Sequence, residues 1–170
     1  TAIEQAQSSP VAQGSVGAGT GMRSFELHAG IGSASRILHL DGRTYTLGVL
    51  VNINHSHFRH LNPEIRARLE KALGISLETL REQDSQDSRF RQKAASYQRL
   101  PQTRSRQGSI MVIIATNIPL GPQELHAVAE RAALGIGATG SAMNTTSGDA
   151  VIAFSTAESI PLEESQTPLP

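Results

Sequence analysis

Apolar residues run without interruption from Ile110 to Ala115. A run of that length with no polar alternation predicts a strand buried on both faces. Two more strands are predicted over Ser35 to Leu40 and Tyr45 to Ile53. The Asp41-Gly42 pair between them predicts a tight hairpin, because both residues tolerate the positive φ such a turn needs. A fourth, short apolar strand is predicted from Ala150 to Phe154.

Helical spacing takes over elsewhere. Asn62-Pro63-Glu64 supplies a cap, a proline for the first helical position and an acid for the first turn. Ile65, Leu69 and Leu73 follow on one face, and Gly74 is the predicted stop. Ser76 is placed to cap a second short helix carrying Leu77 and Leu80. After the break at Pro119-Leu120-Gly121-Pro122, the spacing of Leu125, Val128, Ala129 and Ala132 predicts a third helix. Gly135, Gly137 and Gly140 are expected to end it. Strands mixed with single amphipathic helices predict a layered α/β or α+β domain.

The remaining stretches read as connections. Residues Thr1 to Gly14 are small and polar, and glycine recurs densely from there to Gly32, which implies turns and close backbone contacts. Residues 83–107 are polar and rich in arginine, and read as a linker. Residues 158–170 read as an acidic, proline-containing tail. The 170 residues are expected to form one domain, and the start at Thr1 suggests a fragment of a longer chain.

Composition narrows the chemistry. The formal net charge is zero, so no overall field favours nucleic acid or an anionic membrane. No apolar run is long enough to span a bilayer. The chain has no cysteine, which excludes disulfides, thiolate metal sites and cysteine nucleophiles. No residue fixes the compartment, and the cytoplasm is the default expectation.

Several patterns carry candidate chemistry, each with a plain structural alternative. Gly135-Ile136-Gly137-Ala138-Thr139-Gly140 spells a dinucleotide-binding string, but it follows a helix and does not open one, so a helix stop fits better. His55, His57 and His60 could share a metal, yet no acid lies close in sequence, and a loop after a strand is the simpler reading. The basic run from Arg89 to Arg106 lacks an aromatic stacking pattern and reads as solvated linker.

Ser109 stands apart, at the mouth of the apolar run and after Gly108 in a polar, accessible segment. Cutting the Gly108–Ser109 bond would place a hydroxyl and a free α-amine on one residue, a nucleophile carrying its own base. Ser147-Gly148-Asp149 puts a hydroxyl and a carboxylate on one side of an extended segment; a polar turn entering a strand is the alternative. Asn54, at a strand end, could aim an amide N–H at a developing oxyanion, or simply serve a turn.

These tracts together resemble the L-aminopeptidase/D-amidase/D-esterase family, which includes the β-aminopeptidases. The matching stretches are GSVGAGTGM from Gly14, AGIGSASR from Ala29 and YTLGVLVNIN from Tyr45. GSIMVIIATNIPL from Gly108, RAALGIGATGS from Arg131 and SGDAVIAFST from Ser147 follow in the family's order. The resemblance implies a layered αββα sandwich, similar to N-terminal nucleophile hydrolases but differently connected. It implies a precursor that cuts itself between Gly108 and Ser109. Ser109 matches the nucleophile, Ser147 the second catalytic serine, Asp149 its acidic partner and Asn54 the oxyanion-hole asparagine.

No metal or organic cofactor is implied. The expected substrates are small peptides or aminoacyl amides and esters, and the expected assembly is a homo-oligomer of processed chain pairs. The family's N-terminal pocket region, a catalytic tyrosine upstream of Thr1 and the C-terminal helices have no counterpart in these residues. Asn117 stands where aspartate is frequent, and His55-Ser56 where a glycine is common. The alternative readings are a truncated, non-catalytic structural or binding member, and an acyltransferase like the ornithine acetyltransferases. The latter use threonine as nucleophile, and serine at 109 argues against them.

Overall fold

The computed structural model describes residues 4–86, 108–141 and 147–157. Two short strands, β1 (Arg23–Ser24) and β2 (Leu27–His28), form a small antiparallel pair. The main sheet has four strands in the order β3 (Ile31–Leu40), β4 (Arg43–Asn54), β5 (Ser109–Thr116) and β6 (Ala150–Ser155). The first three neighbours run antiparallel and β5 pairs with β6 in parallel. A parallel pair needs a crossover. Here the helix α3 (Pro122–Ala138) lies on that connection and packs on β6.

The β3–β4 hairpin turns at Asp41 and Gly42, with φ of 49° and 72°. Both central residues are left-handed, which matches the twist of the strands they join. The strands extend past their expected bounds because pairing continues to Ile31↔Asn52 at one end and Leu40↔Arg43 at the other.

One face of the sheet carries the main core. Ile110, Val112 and Ile114 of β5 are buried with Ile136 of α3, and Val49, Val51 and Ile53 of β4 pack against them. The opposite face is open: Met111 is 46% exposed, Ile113 38%, Ile152 57% and Phe154 43%. The expectation that β5 is buried on both faces is therefore corrected. Its composition suits burial on both sides, but in this chain only the face under α3 is covered.

A second core lies beside the sheet. Phe25, Phe58, Leu61 and Leu77 are buried together, with Ile65 and Leu80 packed on them. Helix α1 (Pro63–Leu73) contributes Ile65 to this cluster, and helix α2 (Leu77–Gln86) contributes Leu77 and Leu80. The side-chain oxygen of Asn62 accepts the Glu64 N–H at 2.9 Å, and Gly74 ends α1 at φ 67°. Ser76 accepts the N–H groups of Glu78 and Thr79 at 3.2 and 3.3 Å, as expected of a cap. The Phe58 ring lies between the guanidinium groups of Arg66 and Arg81, 5.1 and 5.0 Å from its centroid.

Two boundaries differ from those read in the sequence. Helix α2 continues to Gln86, into the stretch expected to be linker. Its extra turn carries Asp84, which accepts the His28 N–H at 2.9 Å and pairs with Arg23 at 3.7 Å. Helix α3 passes through Gly135 and Gly137 and stops only at Ala138. Glycine weakens a helix by about 1 kcal/mol but does not forbid it, and Ile136 between the two glycines is buried in the main core. Most of the expected linker and the whole of the expected tail lie outside the described residues.

Candidate functional site

Strand pairing sets the site. Asn54 is the last residue of β4 and Ser109 the first of β5, and the two are direct partners across the ladder. Parallel pairing of β6 begins at Met111↔Ala150, which brings residues 147–149 up beside Ser109. Residues far apart in the chain thus converge at one end of three adjacent strands.

Hydrogen bonds tie these residues together. The Gly148 N–H donates to Ser109 Oγ at 3.1 Å, which leaves the Ser109 hydroxyl proton available elsewhere. The Ser147 hydroxyl lies 2.6 Å from the Gly108 carbonyl oxygen and 2.6 Å from Asp149 Oδ1. A hydroxyl has one proton, so it serves one of these acceptors at a time. Asp149 Oδ1 is itself fixed by the Ile110 N–H at 2.9 Å. The Ser147 hydroxyl, the Asp149 carboxylate and the Gly108 carbonyl are therefore one connected group.

Asn54 is oriented by its neighbours. Its side-chain oxygen accepts the Arg23 N–H at 3.1 Å. That contact identifies the oxygen end of the amide and leaves the Nδ2 donors facing elsewhere.

Gly108 sits tightly against the end of β4. A Cβ at position 108 would stand 2.5 Å from the Asn54 carbonyl oxygen and 2.6 Å from His55 Cα, and closer still to His55 Cβ. The first two neighbours are backbone and cannot swing aside. Only a methylene α-carbon fits there on that side.

The histidines do not form a metal site. His55 Nδ1 meets the hydroxyls of Ser56 and, at 3.0 Å, Ser141. His57 Nδ1 pairs instead with Glu26 at 3.2 Å, an acid that only the fold brings near. His60 meets the His57 ring edge-on, with centroids 5.8 Å apart. Among the described residues no three His, Asp or Glu side chains gather to hold a metal. The string at Gly135 lies inside α3 and at its C-terminal turn, where no phosphate cradle can form. The basic run from Arg89 to Arg106 lies outside the described residues. No helix among those described is long and apolar enough to cross a membrane.

His55, read in the sequence only as a possible metal ligand or loop residue, is a neighbour of the site. It is half-buried, and burial lowers its pKa below 6.5, with the Asp149 charge opposing part of that shift. The available signal was its position directly after Asn54 at the end of a strand.

Solved structures define the class. The chain matches the L-aminopeptidase D-Ala-esterase/amidase of Ochrobactrum anthropi with TM-score 0.66 and 33% identity, over 96% of this chain and 38% of that one. That enzyme is described as a prototype for the serine aminopeptidases and a new variant among the Ntn hydrolase fold. A Burkholderia sp. β-aminopeptidase matches with TM-score 0.65 and 29% identity, over 99% of this chain and 40% of that one. The fold is accordingly α/β and related to the N-terminal nucleophile hydrolases.

The family then follows directly. A model described as peptidase family S58 matches residues 1–169, and the chain belongs to that family. It is 39% identical to the β-peptidyl aminopeptidase BapA of Sphingosinicella microcystinivorans, over 92% of this chain and 37% of the relative. The corresponding enzyme of Sphingosinicella xenopeptidilytica is 35% identical, over 95% of this chain and again 37% of the relative. The chain thus spans well under half the length of these curated relatives.

Proposed function

We propose that the complete protein is a self-processing serine aminopeptidase or amidase with Ser109 as its nucleophile. The observation that carries this reading is the single hydrogen-bonded group of Ser109, Gly148, Ser147, Asp149 and the Gly108 carbonyl. Family membership supports the peptidase class.

In the first step the Ser109 hydroxyl attacks the Gly108 carbonyl carbon. The Gly108–Ser109 C–N bond breaks, the freed nitrogen takes a proton, and an ester joins Gly108 to Ser109 Oγ. Water hydrolyses that ester, leaving a Gly108 carboxylate and a Ser109 with a free amine. The Ser147 hydroxyl, 2.6 Å from the Gly108 oxygen, donates to it as negative charge develops.

The free amine is the base for turnover. Its reference pKa of about 7.7–8.0 keeps part of it neutral near physiological pH. It takes the Ser109 hydroxyl proton as Oγ attacks the substrate carbonyl, then returns it to the leaving amine. Asn54 Nδ2 donates to the oxyanion. Ser147 and Asp149 orient the amine and relay protons.

The acyl group of the substrate takes the place left by Gly108. Crowding there by the Asn54–His55 backbone favours an unsubstituted α-carbon. A β-aminoacyl group meets that demand when its substituent is on the β-carbon, in keeping with the names of the curated relatives.

Intact-mass measurement of the complete protein tests the proposal. Wild type should give two chains, the second beginning Ser109-Ile110-Met111, and Ser109→Ala should remain whole. A wild type that stays whole yet hydrolyses aminoacyl amides would overturn it.

A further inference from the structure

We propose that His55 is a positioning residue for the reaction at Ser109, held by Ser56 and Ser141 and acting through the Gly108 backbone. This rests on the reading of Ser109 as nucleophile. The structure joins two sets of contacts at this one residue, the first through its Cα and Cβ and the second through its ring.

The first set is with the scissile glycine. The Gly108 α-carbon is seated on the Asn54 carbonyl and on His55 Cα and Cβ, with no room for a side chain between them. Any shift of His55 therefore moves the carbonyl that Ser109 attacks. The His55 carbonyl is itself held by the Phe25 N–H at 3.2 Å, so the backbone there is fixed from the other side.

The second set is with Ser56 and with Ser141 at the end of α3. The His55 ring meets Ser56 and Ser141, and the two hydroxyls lie 2.6 Å from each other. Ser141 is only 6% exposed and stands just past the C-terminal turn of α3. Ser56 joins the group from a left-handed conformation, φ 78°, that a non-glycine residue adopts at some energetic cost. Nearby, Asn62 holds the same turn by donating to the carbonyls of Ala138 and Thr139, at 3.1 and 2.9 Å. His55 is the anchor of that turn that also touches Gly108.

Protonation of His55 should report on this role. Residues 147–149 before β6 offer the Asp149 carboxylate, and among the described residues after α3 the Ser141 hydroxyl faces the ring. The β5 side offers Gly108 and, after processing, the Ser109 amine. The Arg23 guanidinium of β1 is engaged with Asp84 and the Glu26 carbonyl, and His57 with Glu26. Half-burial disfavours the cation, so the neutral ring is favoured at neutral pH, and a protonated Nδ1 could no longer accept from either serine hydroxyl.

The test uses the complete protein and follows precursor cleavage by intact mass from pH 5 to 8, with kcat and KM on a β-alanyl anilide. Wild-type cleavage should slow as pH falls through an inflection below 6.5. His55→Ala should slow cleavage by roughly 10- to 100-fold and lower kcat more than it raises KM. His55→Asn keeps a hydrogen-bonding atom near the place of Nδ1. It should cleave within a few-fold of wild type and lose the inflection. A folded His55→Ala that cleaves at the wild-type rate overturns the proposal. If the alanine variant fails to fold, an unchanged inflection in His55→Asn overturns it. The nucleophile reading fails separately, through a wild type that never cleaves.

Discussion

At the scale of single residues, the site depends on fixed groups more than on unusual ones. In the proposed mechanism Asn54 is the oxyanion donor, and the Arg23 backbone N–H holds the oxygen end of its amide. Losing a preorganised oxyanion donor raises a barrier by about 2.7–4 kcal/mol. Asn54→Ala should therefore reduce kcat by roughly 100- to 1,000-fold, with a smaller change in KM, in steady-state assays of the processed enzyme. Gly108 makes the complementary case. Its replacement by alanine forces a methyl group into backbone on the Asn54–His55 segment. Gly108→Ala should leave most of the protein as one chain, while circular dichroism still reports the wild-type fold. Ready cleavage of that variant would mean the Asn54–His55 segment gives way. Gly108, Ser109, Asn54, Ser147 and Asp149 were all legible as candidates from residue type and place. His55 was legible only as a metal candidate or a loop residue, since nothing in the sequence announces that two serines and a glycine will close around it.

At the scale of elements, one asparagine couples two helices. Asn62 caps α1 through Glu64 and also binds the last carbonyls of α3 through its side chain and its backbone. Loss of an N-cap alone costs about 0.5–2 kcal/mol. Asn62→Ala should reach the upper part of that range, read as a lowered urea midpoint, because it also frees the α3 turn next to Ser141. A midpoint shift below about 0.5 kcal/mol would mean the α3 contact contributes little. The cap and the Gly74 stop were visible in the sequence because capping is a local requirement of the chain. The α3 boundary was misjudged because glycines mark a stop only when nothing buries the residues among them. Ile136 is buried against the sheet, and that tertiary contact carries the helix through Gly135 and Gly137.

At the scale of the whole molecule, the open sheet face is the dominant feature. Met111, Ile113, Ile152 and Phe154 form an apolar surface on the side away from α3. Monomeric soluble proteins seldom leave such contiguous patches uncovered. The longer relatives have chain to spare for this purpose, and a layered sandwich would place a second sheet there. The isolated chain should bind a hydrophobic dye and self-associate, and Ile152→Asp should reduce both. In the complete protein the same substitution should prevent folding, seen as loss of soluble protein. Equal tolerance in both settings would show that the face stays in water.

The sequence alone determined the four long strands and the three helices in outline, where the α1 cap and the hairpin turn fall, and which residues are candidates for chemistry. Those properties follow from backbone preferences and hydrophobic spacing within a few residues. The tertiary structure decided the rest. Ladder register set Asn54 opposite Ser109, the parallel pairing of β6 brought Ser147 and Asp149 to the same end, and packing chose His55 as their neighbour. Register and packing depend on contacts between distant parts of the chain, which local patterns constrain but do not specify.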